Sequence, residues 1–150
     1  MPTLIIIRGL PGSGKTTKAI HICNKQEQMS GRKIFHYEAD MFFEDHRGKY
    51  TFNPNLLGIA HDWCYTNTVK SLKDGVSVVV TNTFTKKWEL ERYMSIATLI
   101  PNVKIIVYEM KTQFENVHNV PGEKLKQMAA RWEEFPEEWK DQLEDFIVVN

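Results

Sequence analysis

The chain alternates short, continuous apolar runs with longer amphipathic stretches. Thr3 to Arg8 (TLIIIR) is apolar and rich in β-branched residues, the pattern of a central strand buried on both faces. Gly9 to Gly14 follows as a loop, and Lys15 to about Gln28 reads as a helix with Ala19, Ile20 and Cys23 on one face, stopped by Ser30-Gly31. Lys33 to Tyr37 predicts a second strand. Asp45 to Pro54 is polar and aromatic, a loop ending on Asn53-Pro54, which reads as an N-cap with proline at the first helical position. Leu56, Ile59, Ala60 and Trp63 then recur at helical spacing until Asp74-Gly75. Val76 to Thr81 is a third strand, Lys86 to Leu99 a helix closed by Pro101, and Val103 to Met110 a fourth strand. Pro121 opens a further helix with Leu125, Met128, Ala129 and Trp132 on one side, and Phe146 to Val149 is a last short strand.

Strands alternating with helices of this length predict an α/β fold: a mostly parallel sheet of four to five strands flanked by helices. The 150 residues suit one domain spanning 1–150. Hydrophobic residues make up 42% and charged residues 25%, enough to build a core and too little charge for wholesale disorder. The formal net charge of zero rules out an overall field drawing the protein onto nucleic acid, although a local basic groove stays open. Cys23 and Cys64 match no zinc or redox spacing and read as reduced thiols of an intracellular, cytoplasmic protein. Met1 to Ile7 is too short for a signal peptide, and no run reaches membrane-spanning length, so no membrane and no metal cluster are expected.

The chemistry concentrates in Gly9-Leu10-Pro11-Gly12-Ser13-Gly14-Lys15-Thr16, which meets the pattern G-x-x-x-x-G-K-[ST] between a strand and a helix, as a P-loop must. Glycines let the backbone curl so that successive N–H groups point inward as an anion nest, and the helix start adds its positive end. The motif assigns Gly9, Pro11, Gly12, Ser13, Gly14, Lys15, Thr16 and Thr17 to ATP, with Lys15 on the β- and γ-phosphates and the Thr16 hydroxyl on Mg²⁺.

Asp45-His46-Arg47-Gly48 and Asn24-Lys25-Gln26-Glu27 spell GTPase-like motifs, but the second lies in the first helix and comes too early. The third strand ends Thr81-Asn82-Thr83 with no carboxylate, which argues against a mechanical ATPase; a small kinase needs chiefly a phosphate cradle, Mg²⁺ and a base. Asp40, after the second strand, is the candidate base, and its apolar neighbours Ala39, Met41 and Phe42 predict desolvation that would strengthen its basicity. Asp40 is also a candidate for holding Mg²⁺ through water. The residues alone leave a helix N-cap or a surface carboxylate open for Asp40, with Glu38 as the rival base.

Five blocks in order along the chain carry a family likeness. They are Arg8 to Thr17; Glu38-Ala39-Asp40-Met41-Phe42-Phe43; Tyr50-Thr51-Phe52-Asn53-Pro54 through Leu57, Ala60-His61 and Trp63; Val80 to Thr85 with Trp88-Glu89; and Asn116 to Pro121 with Met128 and Arg131-Trp132-Glu133. In these the chain resembles the polynucleotide-kinase-like P-loop kinases, the group of the phage-type polynucleotide 5′-kinase and related small kinase domains. The resemblance implies a P-loop NTPase fold of kinase type, ATP and Mg²⁺, Asp40 as general base, Asn82 and Thr83 near the base or the acceptor phosphate, and a lid at about 111–121. Two positions depart from the family pattern. Phe43 stands where the phage-type enzyme has an arginine near the acceptor phosphate, and Gln113-Phe114-Glu115 stands where the lid usually carries arginines. Lys111, His118 and Arg131 are the candidates to supply the missing charge, His118 and Arg131 as catalytic groups.

Lys86, Lys87 and Arg92 form a basic cluster at a helix start, normally unfavourable for lysine, so a partner phosphate competes with a solvated face. Arg47 and Lys49, near Tyr50 and Phe52, combine phosphate attraction with base stacking, a packing role for the aromatics being equally open. Substrate contacts are therefore expected at Asn82, Thr83, Lys86 and Arg47. Trp63, Trp88, Trp132 and Trp139 read as core or helix-packing residues. The reading is an ATP-dependent kinase acting on the 5′-hydroxyl of a polynucleotide, DNA or RNA, with single-stranded nucleic acid or a nucleotide as acceptor. A kinase of a nucleoside, nucleotide or modified base, and a non-catalytic nucleotide-binding module, are the alternatives.

Overall fold

Four consecutive aliphatic residues at the centre of the first strand, Leu4 to Ile7, alternate between two hydrophobic layers, and this alternation organises the molecule. In the computed structural model, which describes residues 2–111 and 122–150, all four are at most 1% exposed. Leu4 and Ile6 face one layer with Val78, Val80, Ile105 and Val107; Ile5 and Ile7 face the other with Val79, Ala19 and Ile22.

The elements follow in the order β1 (Thr3–Gly9), α1 (Lys15–Ser30), β2 (Ile34–Tyr37), α2 (Leu57–Lys73), β3 (Ser77–Asn82), α3 (Lys87–Met94), α4 (Ile96–Leu99), β4 (Lys104–Met110), α5 (Gly122–Arg131) and β5 (Asp145–Val149). The sheet is five-stranded in the order β2-β3-β1-β4-β5, and every neighbouring pair is parallel. This is a P-loop NTPase-like fold. Its C-terminal strand ends lie together: Arg8 pairs with Asn82 on one side and Glu109 on the other, so the loops after β1, β3 and β4 share one rim, where α/β sheets place their ligands.

The helices differ from the sequence pattern where side chains compete with the backbone. The expected helix over 86–99 divides at Ser95, whose hydroxyl donates to the Glu91 carbonyl at 2.9 Å, a bond back along the helix that bends it. The first turn after Asn53 is a 3₁₀ turn (Pro54–Leu56), with the Asn53 side chain accepting from the Asn55 N–H at 3.0 Å. Two further 3₁₀ turns, Ala39–Phe43 and Glu137–Gln142, carry no periodic signal in the sequence. Asp45-His46-Arg47-Gly48 is a tight turn in which the Asp45 carboxylate accepts from the Arg47 and Lys49 N–H groups at 2.8 and 2.9 Å, which gives that spelling a structural origin.

Ile6 is 0% exposed at the centre of the sheet, so Ile6→Ala should lower unfolding stability by about 2–5 kcal/mol. Ile20→Ala, on the exposed side of α1, should fall within about 0.5 kcal/mol of the parent; urea titration of the two variants measures the contrast.

Candidate functional site

The loop after β1 is curled by its glycines. Gly14 has φ +90°, the left-handed region that L side chains rarely adopt, and it caps α1 there. At Gly9 a Cβ would sit 2.5 Å from Ser13 Oγ and 3.0 Å from the Met110 carbonyl oxygen, so a side chain there would force the loop to shift. Ser13 N–H donates to the Leu10 carbonyl at 3.1 Å, and Ser13 Oγ is buried with no hydrogen-bond partner among the described residues. An orphaned buried hydroxyl inside a left-handed curl at a helix start fits an anion. Lys15 Nζ donates to the Leu10 carbonyl at 3.1 Å, keeping the ammonium folded over the loop. Burial pulls its pKa down to about 8, against the opposing influence of Glu38 and Asp40. Pro11 and Gly12 are half-buried in the loop, and Thr16 and Thr17 are exposed at the start of α1.

A carboxylate stands beside Thr16, but it comes from β2. Glu38 Oε1 accepts from the Thr16 hydroxyl at 2.7 Å and from the Thr81 hydroxyl at 2.7 Å, with His36 Nε2 at 3.3 Å. His36 Nε2 also lies 2.8 Å from Thr81 Oγ1, so β2, β3 and α1 are tied through one oxygen. Burial alone would raise the Glu38 pKa, but the hydrogen bonds from His36, Thr16 and Thr81 outweigh it and hold the carboxyl at about 2. Because Thr16 spends its proton on Glu38, its lone pairs are free for a cation. Thr16 directly, and Glu38 through water, are thus the residues fit to hold Mg²⁺. Sequence reasoning looked for this acid at the end of β3; the signal that finds it is Glu38 directly after β2, the neighbour of β3.

Asp40 lies two residues on, in the 3₁₀ turn Ala39–Phe43, and it is exposed. The expected desolvation is therefore corrected: Met41 and Phe42 turn toward the protein while the carboxylate turns outward, because a 3₁₀ turn sends successive side chains in different directions. Asp40 Oδ1 accepts from the Tyr50 hydroxyl at 3.4 Å. The turn is pinned by Asn82, whose Oδ1 accepts from the Ala39 N–H at 3.0 Å. Asn82 also lines a cleft of about 390 Å³ between α2 and α3, with Ile59, His61, Phe84, Trp88 and Arg92. Lys15, Thr16, Glu38, Asp40 and Asn82 thereby share one rim of the sheet.

Other expected positions sit elsewhere. Thr83 is half-buried after β3. Lys86 precedes α3, and its N–H is capped by Glu89 at 3.1 Å, which offsets the poor placement of lysine at a helix start. Arg47 is exposed in the Asp45 turn, and Arg131 is exposed at the end of α5. His118 and lid residues 112–121 lie outside the described residues. Phe43 is buried edge-on against Phe42, Tyr50 and Phe52. Of the four tryptophans, Trp63, Trp132 and Trp139 are half-buried, but Trp88 is 68% exposed, so a core role is corrected for it: α3 buries Leu90, Tyr93 and Met94 and turns Trp88 outward.

A second polar knot lies behind the loop. Arg8 is fully buried; its guanidinium donates to Glu109 at 2.8 Å, to the Phe84 carbonyl at 2.6 Å and to the Glu133 carbonyl at 2.8 Å, and lies 3.8 Å over the Trp132 ring. Lys111 joins it, 3.6 Å from Glu109 and 4.8 Å over Trp132, so its charge is committed here. Among the described residues no group of three His, Cys, Asp or Glu is placed to hold a metal, and no helix is long and apolar enough to cross a membrane.

A sequence profile described as an AAA domain matches residues 4–135. NEDD4-binding protein 2 of Homo sapiens is 27% identical over 142 residues, which cover 88% of this chain and 8% of that protein, so the chain spans a small part of that relative. Among solved structures, Chaetomium thermophilum Kti12 in complex with ADP-AlF3 superposes with a TM-score of 0.71 at 14% identity over 97% of this chain and 88% of its own. The Mycobacterium tuberculosis APS kinase CysC, in complex with AMPPNP and APS, gives 0.61 at 12% identity over 99% and 89%. At these identities the structural likeness is one of fold.

Glu38 makes acid stability testable. Its folded pKa of about 2 lies below the unfolded 4.5, so its stabilisation is full above pH 4.5 and is lost as pH falls from about 4.5 toward 2. Glu38→Gln should remove that acid limb, on the order of 3 kcal/mol, in denaturant titrations between pH 6 and 2. An unchanged limb in the variant would show that other carboxylates carry it.

Proposed function

The chain belongs to the AAA domain family, and on that premise we propose that it is an ATP-dependent kinase that transfers the γ-phosphate to the 5′-hydroxyl of a polynucleotide. One observation carries the reading: two carboxylates sit two residues apart on one turn, and they are differently engaged. Glu38 is saturated by three donors and tied to Thr16, whereas Asp40 is exposed on a turn hydrogen-bonded to Asn82, which lines the α2–α3 cleft. One acid serves the metal side and the other is left for a substrate proton.

The loop N–H groups and Lys15 hold the triphosphate, and Thr16 and Glu38 hold Mg²⁺. That ion would supply positive charge to offset the negative charge of the transferring phosphoryl group. Asp40 accepts the hydroxyl proton as the acceptor oxygen bonds to the γ-phosphorus and the β–γ bridging oxygen leaves with ADP. Asn82 holds the Asp40 turn at fixed height above the sheet through the Ala39 N–H. The polynucleotide acceptor draws support from the five sequence blocks shared with polynucleotide-kinase-like proteins. A monomeric acceptor, nucleoside or nucleotide, is the second reading, and the small volume of the cleft and the zero net charge favour it.

Labelled ATP offered with 5′-hydroxyl oligonucleotides, nucleosides and nucleoside monophosphates decides between them: label on oligonucleotides supports the first, and label on monomers alone removes it. Asp40→Asn should abolish transfer, at least about 100-fold in kcat, with ATP affinity nearly intact. Lys15→Ala should weaken ATP binding and transfer together; equilibrium binding and single-turnover rates separate the two patterns. Retained turnover in Asp40→Asn would eliminate it as the base.

A further inference from the structure

Trp88 is the most conspicuous apolar side chain that the kinase reading leaves unused. It is the second residue of α3 and 68% exposed, while Leu90, Tyr93 and Met94 of the same helix are buried. Every other tryptophan contacts another aromatic ring or a cation, but Trp88 does neither among the described residues. Its indole lines the α2–α3 cleft, and on the α2 side Ile59 is also 53% exposed. Gly58 on the same wall has no atom within 4 Å of where its Cβ would lie, so the cleft is open there. The cleft's 390 Å³ falls in the range of small-ligand sites, about 300–1,000 Å³.

The surrounding charges suit a phosphodiester chain. Lys86 and Lys87 directly precede Trp88, and Arg92 lies one turn after it. Arg92 is spent on Asp62 at 2.9 Å, Glu89 and Glu133 accept from the Lys86 and Lys87 N–H groups at 3.1 and 2.8 Å, and the Lys86 and Lys87 ammonium groups make no ion pair among the described residues. Asn82 belongs both to the cleft and, through the Ala39 N–H, to the turn that presents Asp40. The cleft and the turn that carries the candidate base are thus joined through one side chain.

We propose that this cleft seats the 5′-terminal nucleoside of the acceptor strand, its base stacked on the indole of Trp88, with Lys86 and Lys87 toward the following phosphates. Stacking tolerates every base, because each has a π-face, so the platform selects for a strand end and not for a sequence. The inference rests on the proposed polynucleotide acceptor and names the residue that reads it.

The test is a titration of the full chain with a 5′-hydroxyl tetranucleotide, followed by tryptophan fluorescence and by anisotropy of a 3′-labelled copy, in the parent, Trp88→Phe and Trp88→Ala. The oligonucleotide should quench the parent's emission, and both variants should lose that quenching. Affinity should fall about ten- to a hundredfold in Trp88→Ala and be largely restored in Trp88→Phe, with ATP affinity equal in all three. Equal oligonucleotide affinity in Trp88→Ala, or no oligonucleotide binding to the parent, overturns the platform. Binding that quenches Trp88 without any phosphate transfer supports the platform and defeats the kinase reading. Transfer to oligonucleotides with an unchanged KM in Trp88→Ala keeps the kinase reading and overturns the platform.

Discussion

A single carboxylate oxygen, Glu38 Oε1, joins three separate pieces of backbone. Donors from α1, β2 and β3 converge on it, and at about 2 its pKa shows that the charged form is the one the fold favours. Burying a carboxylate is unfavourable unless hydrogen bonds replace its water, and here three do. The arrangement fixes the distance between the start of α1 and the ends of β2 and β3. That distance decides where phosphates held by the loop lie relative to anything presented by the turn at Asp40. The P-loop and the turn Ala39–Phe43 are thus parts of one polar unit, although 22 residues separate Thr16 from Glu38.

The Arg8 knot does the corresponding work on the other side of β1. A fully buried guanidinium is tolerable only when its donors are spent, and Glu109 and the carbonyls of Phe84 and Glu133 spend them. The planar cation also stacks on Trp132, which anchors the segment after α5 to the base of the loop. Lys111, read as a substitute for the lid's arginine charge, is bound into this knot instead.

Much of the fold was legible because its physics is periodic. Continuous β-branched runs at 3–8, 76–81 and 103–110 became the three inner strands, and the glycine spacing defined the loop between β1 and α1. What the sequence hid was set by contacts across the chain. No local pattern says that Ser95 will divide a helix, or that Asp40 will face water while the residues around it pack. Phe43, where the resemblance would put an arginine, is buried among aromatic rings. The role of Glu38 was hidden for the same reason: the strand order, not the strand, brings it beside Thr16. Trp88 shows the opposite failure, a residue whose type argues for burial and whose helix turns it outward.

The strand order has one more outcome. Leu4 to Ile7 and Val78 to Val80, the stretches most able to template a foreign strand, occupy the interior of the sheet and are hydrogen-bonded on both sides. The open rims fall to β2, four residues long, and β5, five residues long. Rims that short offer little ladder for another chain to extend. The topology that brings the loops after β1, β3 and β4 together therefore also keeps the stickiest segments away from lateral self-association.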